Sequence, residues 1–229
     1  MFDKSASAVI WPDLAGLTER PVRIFVVRHG ESVWNRTKRI SGQLDPALSV
    51  AGLAQAQRLC ETLSEVHLDA IYTSTLSRSI ATAAPTACWH GITPRACHWL
   101  DEQNLGSLQG RYRNDRDPQA LALWNERGAD VLRFQPPGGE TYDELQRRVT
   151  EGLRQLCELQ AGRTVLIVGH RNTNRPLLAA LLGWTAEEAI ATKLKHHDLY
   201  DIAPAHSTFV RTISLRDRDR GRAREGFRA

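Results

Sequence analysis

Val22-Arg23-Ile24-Phe25-Val26-Val27 runs without a break into Arg28-His29-Gly30-Glu31. The first six residues are mostly β-branched or aromatic, and a glycine follows closely, which is the pattern of a short buried strand. An arginine and a histidine are thereby delivered to a strand end, where a doubly wound sheet opens its ligand crevice. Gly30 permits a tight turn and a close approach of backbone to a bound group. Arg28 offers a planar fork of donors suited to phosphate, and His29 a nitrogen nucleophile near neutral pH. An Arg-His pair alone is equally a solvated strand terminus, so the question is what else converges on it.

Working outward, Thr164 to Val168 is the most hydrophobic strand and closes on Gly169-His170-Arg171. Asp69 to Thr73 predicts another strand, leading to Ser74-Thr75-Leu76-Ser77-Arg78 at a helix start. Arg95 to Leu100 predicts a further one, ending beside Glu102. Between them the period changes to helical. Ser49 caps a helix through Leu53, Ala56, Cys60 and Leu63, and Pro85 is expected to kink the next helix. A short helix covers Pro118 to Arg127. Thr141 and Glu144 form a capping box ahead of Leu145, Val149, Leu153 and Leu156. Asn172, Thr173 or Asn174 is expected to cap the helix after His170, with Pro176 in its first turn. Leu199–Ala203 and Thr208–Leu215 read as edge strands. This alternation gives an α/β chain.

The bulk properties narrow the function. At 229 residues, 41% apolar and 24% charged, the chain is an ordinary globular one rather than a disordered one. We expect one domain over 21–215, an irregular leader over 1–20 with Trp11, Leu14 and Leu17, and a disordered basic tail over 216–229. The net charge is +4, and the tail holds six Arg against three acids, leaving only +1 for the body. Nucleic-acid binding therefore gains no support. No apolar run reaches membrane-spanning length, and Met1 to Arg20 lacks a secretory pattern, so no membrane contact is expected. Cys60, Cys88, Cys97 and Cys157 are scattered, which argues against zinc or a disulfide framework and fits the cytoplasm.

If the strands ending at His29 and His170 are parallel neighbours, two imidazoles, two or three arginines and a carboxyl meet in one crevice. Phosphoryl transfer needs such a set. Fixed cations and N–H donors meet the charge on three oxygens, a neutral imidazole attacks phosphorus, and an acid serves the departing alkoxide. No cluster has metal-ligand spacing, and no cofactor is required.

These residues resemble the histidine phosphatase superfamily, the phosphoglycerate mutase-like proteins. The resemblance rests on Arg28 to Glu31, Trp34-Asn35, Arg39, Ser41 and Gly42. It continues through Asp45-Pro46-Ala47-Leu48-Ser49, Gly52, Ser74 with Ser77-Arg78, Glu102 with Leu105-Gly106 and Leu108-Gln109-Gly110, and Gly169-His170. It implies a three-layer α/β/α sandwich with a mostly parallel central sheet. It implies that His29 is the phosphorylated nucleophile, that Arg28, Arg78 and His170 clamp the phosphoryl oxygens, and that Glu102 is the general acid and base. Asn35, Arg39, Ser41 and Gly42 would line the phosphate pocket.

Within that family, mutases carry Arg-His-Tyr after the acid and an Arg pair after a later Trp. Here Gln103-Asn104-Leu105 and Trp124-Asn125-Glu126 stand in those places, while Arg113 can take the place of a mutase lysine. Pro137-Gly138-Gly139-Glu140 also looks like the compact phosphatase branch. The expected activity is hydrolysis of a small phosphomonoester. The alternatives are bisphosphoglycerate-dependent mutase chemistry and a phospho-ligand binder with little turnover. Most members place Gly after the second histidine, but this chain has Arg171, which either faces solvent or reaches a second anionic group on the substrate. Lys193, Lys195, His196 and His197 occupy a loop that can border the pocket mouth. His67, His90, His98 and His206 have no partner pattern, and Trp89, Trp99 and Trp184 read as packing residues. The chain is expected to be a monomer or a homodimer through an exposed edge near Val210.

Overall fold

The computed structural model describes residues 21–205, 207–216 and 221–226. The expected leader lies outside them, as does His206. A single seven-stranded sheet organises the rest. Its strands are β1 (Arg23–Arg28), β2 (Ala70–Thr73), β3 (Arg95–Ala96), β4 (Thr164–Gly169), β5 (Asp198–Ala205), β6 (Ser207–Ser214) and β7 (Ala223–Glu225), in the order β3-β2-β4-β1-β5-β6-β7. The β3-β2-β4-β1 half is parallel, and β5, β6 and β7 add on antiparallel. The sheet is therefore mixed around a parallel core.

Alternation along each strand builds the three layers. Ile24, Val26, Tyr72, Val165, Ile167, Tyr200 and Ile202 point to one face. There they meet α5 (Tyr142–Leu159) and α6 (Arg171–Leu182), with α7 (Ala186–Ala191) beside them. Phe25, Val27, Ile71, Leu166, Val168 and Leu199 point to the other face. They pack on α2 (Val50–Leu63) and α3 (Ser77–His90). A smaller cluster of Ile40, Leu105, Leu108 and Ala120 seats α4 (Pro118–Ala129) over the strand ends, while α1 (Val33–Arg36) is a single turn after β1. Among the described residues, no helix is long and apolar enough to cross a membrane.

Four local expectations are corrected. The predicted strand 95–100 pairs with β2 only over Arg95 and Ala96, and His98–Leu100 turns as a 3-10 helix. The turn carries Leu100 into the core and Trp99 against Gly152, where a Cβ would stand 2.2 Å from the indole. Helix α6 begins at Arg171, one residue after His170, and none of Asn172, Thr173 and Asn174 is its N-cap. Pro176 therefore lies inside it, past the first turn. Strand β5 is interior, between β1 and β6, and β7 pairs along Arg211, Thr212 and Ile213. Residues 223–225 of the expected disordered tail thus cover the proposed dimer edge. Trp89 is 63% exposed and donates its indole N–H to the Ser64 carbonyl rather than packing.

The turn after β1 is pressed against the first turn of α2. Ser49 N–H bonds the Glu31 carbonyl at 2.8 Å, and the Ser49 hydroxyl bonds the Glu31 carboxylate at 2.8 Å. A Cβ on Gly52 would stand 2.1 Å from the Glu31 carbonyl oxygen, so neither backbone can retreat. Gly52→Ala should lower unfolding free energy by about 1–3 kcal/mol in urea titration. A wild-type midpoint would mean that the two segments are not in close contact.

Candidate active site

The register of β1 on β4 pairs Arg28 with Gly169, and His29 N–H bonds the Gly169 carbonyl at 2.9 Å. The residues that follow each strand therefore lie side by side, and the His29 and His170 ring centroids stand 5.0 Å apart. Gly30 N–H bonds the Thr82 hydroxyl of α3 at 2.9 Å, so helices on that face hold the turn. His29 is buried, with Nδ1 2.7 Å from the Gly30 carbonyl oxygen. A carbonyl only accepts, so Nδ1 carries the proton and the lone pair sits on Nε2. Burial first, then repulsion from neighbouring His170, Arg78 and Arg28, holds the ring's pKa well below 6.5.

His170 is fully buried, with Nε2 2.7 Å from the Ser74 hydroxyl oxygen. That oxygen already accepts the Leu76 N–H at 3.2 Å, so its own hydrogen can go to Nε2. Nδ1 of His170 then bears a proton, and it has no partner in the protein. Arg78 is 1% exposed and donates to the carbonyls of Leu44 and Gly42, each at 2.7 Å, with Asp45 3.5 Å away. Gly42 has φ +52, and a Cβ there would meet Gln109 at 2.2 Å. Glycine at that position therefore fixes Arg78 through its carbonyl.

Glu102 comes from the loop after the 3-10 turn. Its carboxylate accepts the N–H groups of Gln103 at 2.9 Å and Asn172 at 3.2 Å, so it takes up a backbone donor in the first turn of α6. Thr173 donates its hydroxyl to the Asp101 carbonyl at 2.8 Å, and Asn174 its amide to the Val27 carbonyl at 3.1 Å. The three polar residues expected to cap α6 instead join it to its neighbours.

Nine of the ten residues singled out in the sequence line one cavity of about 410 Å³: Arg28, His29, Asn35, Arg39, Ser41, Gly42, Arg78, Glu102 and Arg171. The tenth, His170, adjoins it through His29. Asn35 accepts the Ser32 N–H at 2.9 Å through its Oδ1, closing the capping box of α1. Arg39 stacks over Trp34 at 3.9 Å and bonds the Gly110 carbonyl. From the later loop, His196 reaches the end of β1. It donates Nδ1–H to the His29 carbonyl at 2.7 Å, with its ring 5.4 Å from that of His29. Lys193, Lys195 and His197 do not line the cavity. Arg127 and Arg175 do, although no motif signals them. The available signal is spacing: Arg175 follows Arg171 by one helical turn, and Arg127 shares a face of α4 with Ala120 and Trp124. Among the described residues, no three His, Cys, Asp or Glu side chains converge as metal ligands.

Residues 24–213 match the family described as Histidine phosphatase superfamily (branch 1). The chain belongs to that superfamily. Among its curated relatives, "Phosphoglycerate mutase-like protein 4" of Arabidopsis thaliana is 36% identical over 162 residues, covering 67% of this chain and 68% of that protein. A "Probable phosphoglycerate mutase" of Yersinia pestis is 32% identical over 181 residues, covering 78% and 83%. Solved superfamily structures include the α-ribazole phosphatase of Shigella flexneri, 26% identical with a TM-score of 0.73, covering 79% of this chain and 90% of that one. They also include a mycobacterial glucosyl-3-phosphoglycerate phosphatase complexed with VO3, 27% identical with a TM-score of 0.69, covering 83% and 96%.

Three imidazoles in this superfamily member are held neutral: His29 and His170 well below their usual pKa, and His196 near about 3, each chiefly by burial. Their folded pKa values lie below the unfolded ones. The stability they contribute is therefore complete above pH 6.5 and is lost as pH falls below it. Each ring then costs about 1.4 kcal/mol per pH unit. At constant salt, the melting temperature should fall between pH 6.5 and 5, less steeply in His196→Gln. A flat profile would show that the rings accept protons in the folded protein.

Proposed function

We propose that this protein is a phosphomonoesterase acting on a small phosphorylated metabolite through a phosphohistidine on His29. The observation that carries the reading is the free Nε2 lone pair of a neutral, buried His29 beside Arg28, Arg78 and the unpartnered Nδ1–H of His170. In the first step Nε2 attacks phosphorus, the N–P bond forms and the bond to the ester oxygen breaks. Protonated Glu102 gives its proton to the departing alkoxide. In the second step the Glu102 carboxylate takes a proton from water, the water oxygen bonds phosphorus and the N–P bond breaks, returning the imidazole. Arg28, Arg78 and His170 meet the charge on the equatorial oxygens throughout, with Asn35 and Ser41 at the pocket wall. The uncatalysed reaction is slow enough that these groups must together remove on the order of 20 kcal/mol.

A second reading is mutase phosphotransfer, which the names of the curated relatives favour. Hydrolysis is preferred because Gln103 stands where mutases carry an arginine. It is also engaged in the scaffold: its amide donates to the Glu140 carbonyl at 3.0 Å and its oxygen accepts from Arg127 at 2.9 Å. A binding protein with little turnover is disfavoured by the complete catalytic set.

Phosphate release from a generic aryl phosphate should persist in excess EDTA, vanish in His29→Ala, and fall about 100- to 10,000-fold in kcat in Glu102→Gln. Rapid alkaline quench, under which a phosphohistidine survives, with an ester radiolabelled on phosphorus should place the label on His29. With monophosphoglycerate and bisphosphoglycerate supplied together, isomer exchange outrunning phosphate release would overturn hydrolysis in favour of the mutase.

A further inference from the structure

Seven guanidinium groups line the cavity, against one carboxylate, Glu102. A phosphomonoester dianion brings two negative charges, and Arg28 and Arg78 with the two histidines suffice for it. Arg39 is committed to the Gly110 carbonyl and the Trp34 ring. Four more arginines, Arg113, Arg127, Arg171 and Arg175, line the outer part of the cavity without a carboxylate partner among the described residues.

Arg171 opens α6 and Arg175 lies one turn on, so both project from the same face of that helix. Arg175 is buried, with one Nη bonded to the Ile190 carbonyl at 2.6 Å and Nε without a partner. Arg127 is buried and donates to Gln103. Arg113 and Arg127 share the Trp124 ring, their guanidinium carbons 5.4 and 5.3 Å from its centroid. Arg171 bonds no other described side chain, although it opens a helix whose N-terminal end disfavours a cation. None of the four is ion-paired with a carboxylate among the described residues.

An exposed charge run would be a solvated face, but Arg127 and Arg175 are each only 6% exposed. Burying unpaired cations beside one another is costly, and no ion pair within the chain repays it. Burial, with the charge of Arg171, pushes the pKa of Arg175 down to about 10 and lowers that of Arg113 as well. An anion at this end of the cavity would offset the charge that Arg127 and Arg175 bury.

We propose that the substrate is a phosphomonoester bearing a second anionic group, a carboxylate or a second phosphate, which Arg113, Arg127, Arg171 and Arg175 receive. This rests on the phosphomonoesterase reading and names its substrate class. The cavity of about 410 Å³ restricts the body between the anions to a small one. Trp124, Val131 and Ile190 give that end apolar walls, so charge rather than hydrogen bonding to the spacer sets the preference.

Matched pairs test it: 3-phosphoglycerate against glycerol 3-phosphate for the carboxylate, and propane-1,3-diol bisphosphate against 3-hydroxypropyl phosphate for the phosphate. Phosphate release gives kcat/KM for the full-length protein, and calorimetry on His29→Ala gives binding without turnover. In at least one pair the dianionic-plus-anionic member should be favoured about tenfold or more, and Arg171→Gln and Arg113→Gln should each cut that ratio at least threefold. Equal use of both members in both pairs, or a ratio unmoved by either variant, overturns the inference. Preferential binding to His29→Ala without any phosphate release from the wild type would sink the hydrolase and leave the second anionic site standing. Release without preference would do the reverse.

Discussion

The parallel register of β1 on β4 is the constraint on which the rest depends. Arg28 faces Gly169 across that ladder, and the His29 N–H continues it by one more bond to the Gly169 carbonyl. Because side chains alternate, a slip of one residue would send Phe25 and Val27 to the wrong layer and separate the two imidazoles. The hydrophobic pattern of both strands, buried on two faces, forbids that slip. Core packing and the placement of the paired imidazoles are therefore one specification.

The site concentrates positive charge where water is scarce. Guanidiniums taken from water cost on the order of several kcal/mol each, and here backbone carbonyls of Leu44, Gly42 and Ile190 meet much of that cost. Carbonyls are neutral, so they fix the arginines without cancelling their field. Glu102 is the exception, and α6 holds it through the Asn172 N–H. The same field keeps the imidazoles neutral. On the proposed mechanism His29 needs its lone pair, and burial among cations preserves it.

Loops, rather than strands, close the outer end. The segment 103–140 seats its own small core of Ile40, Leu105, Leu108 and Ala120, and α4 then presents Trp124 and Arg127 to the cavity. Gln103, immediately after the acid, ties this layer to Glu140 and Arg127. The acid and the outer wall thus share one support, so changes in α4 reach the position of Glu102 through a side-chain network.

The sequence by itself determined the α/β class, the strands that end at His29 and His170, the helices after Ser49 and Thr141, and nine residues that line one cavity with His170 adjoining it. Those features follow from local rules: a short apolar run, a glycine, a cap, a motif at a strand end. What only the tertiary structure decided comes from contacts between distant segments. Glu102 accepts the Asn172 N–H at the α6 N-terminus that Asn172, Thr173 or Asn174 was expected to cap, while the Thr173 and Asn174 side chains are drawn to loop and strand carbonyls. The candidate strand 95–100 stops after two residues because Trp99 and Leu100 are pulled into the core, and β7 pairs beyond β6 where a free edge was expected. Arg127 and Arg175 look like ordinary surface charges in the sequence. They become cavity walls only when α4 and α6 meet, since burial is a property of what packs against a residue and not of the residue itself.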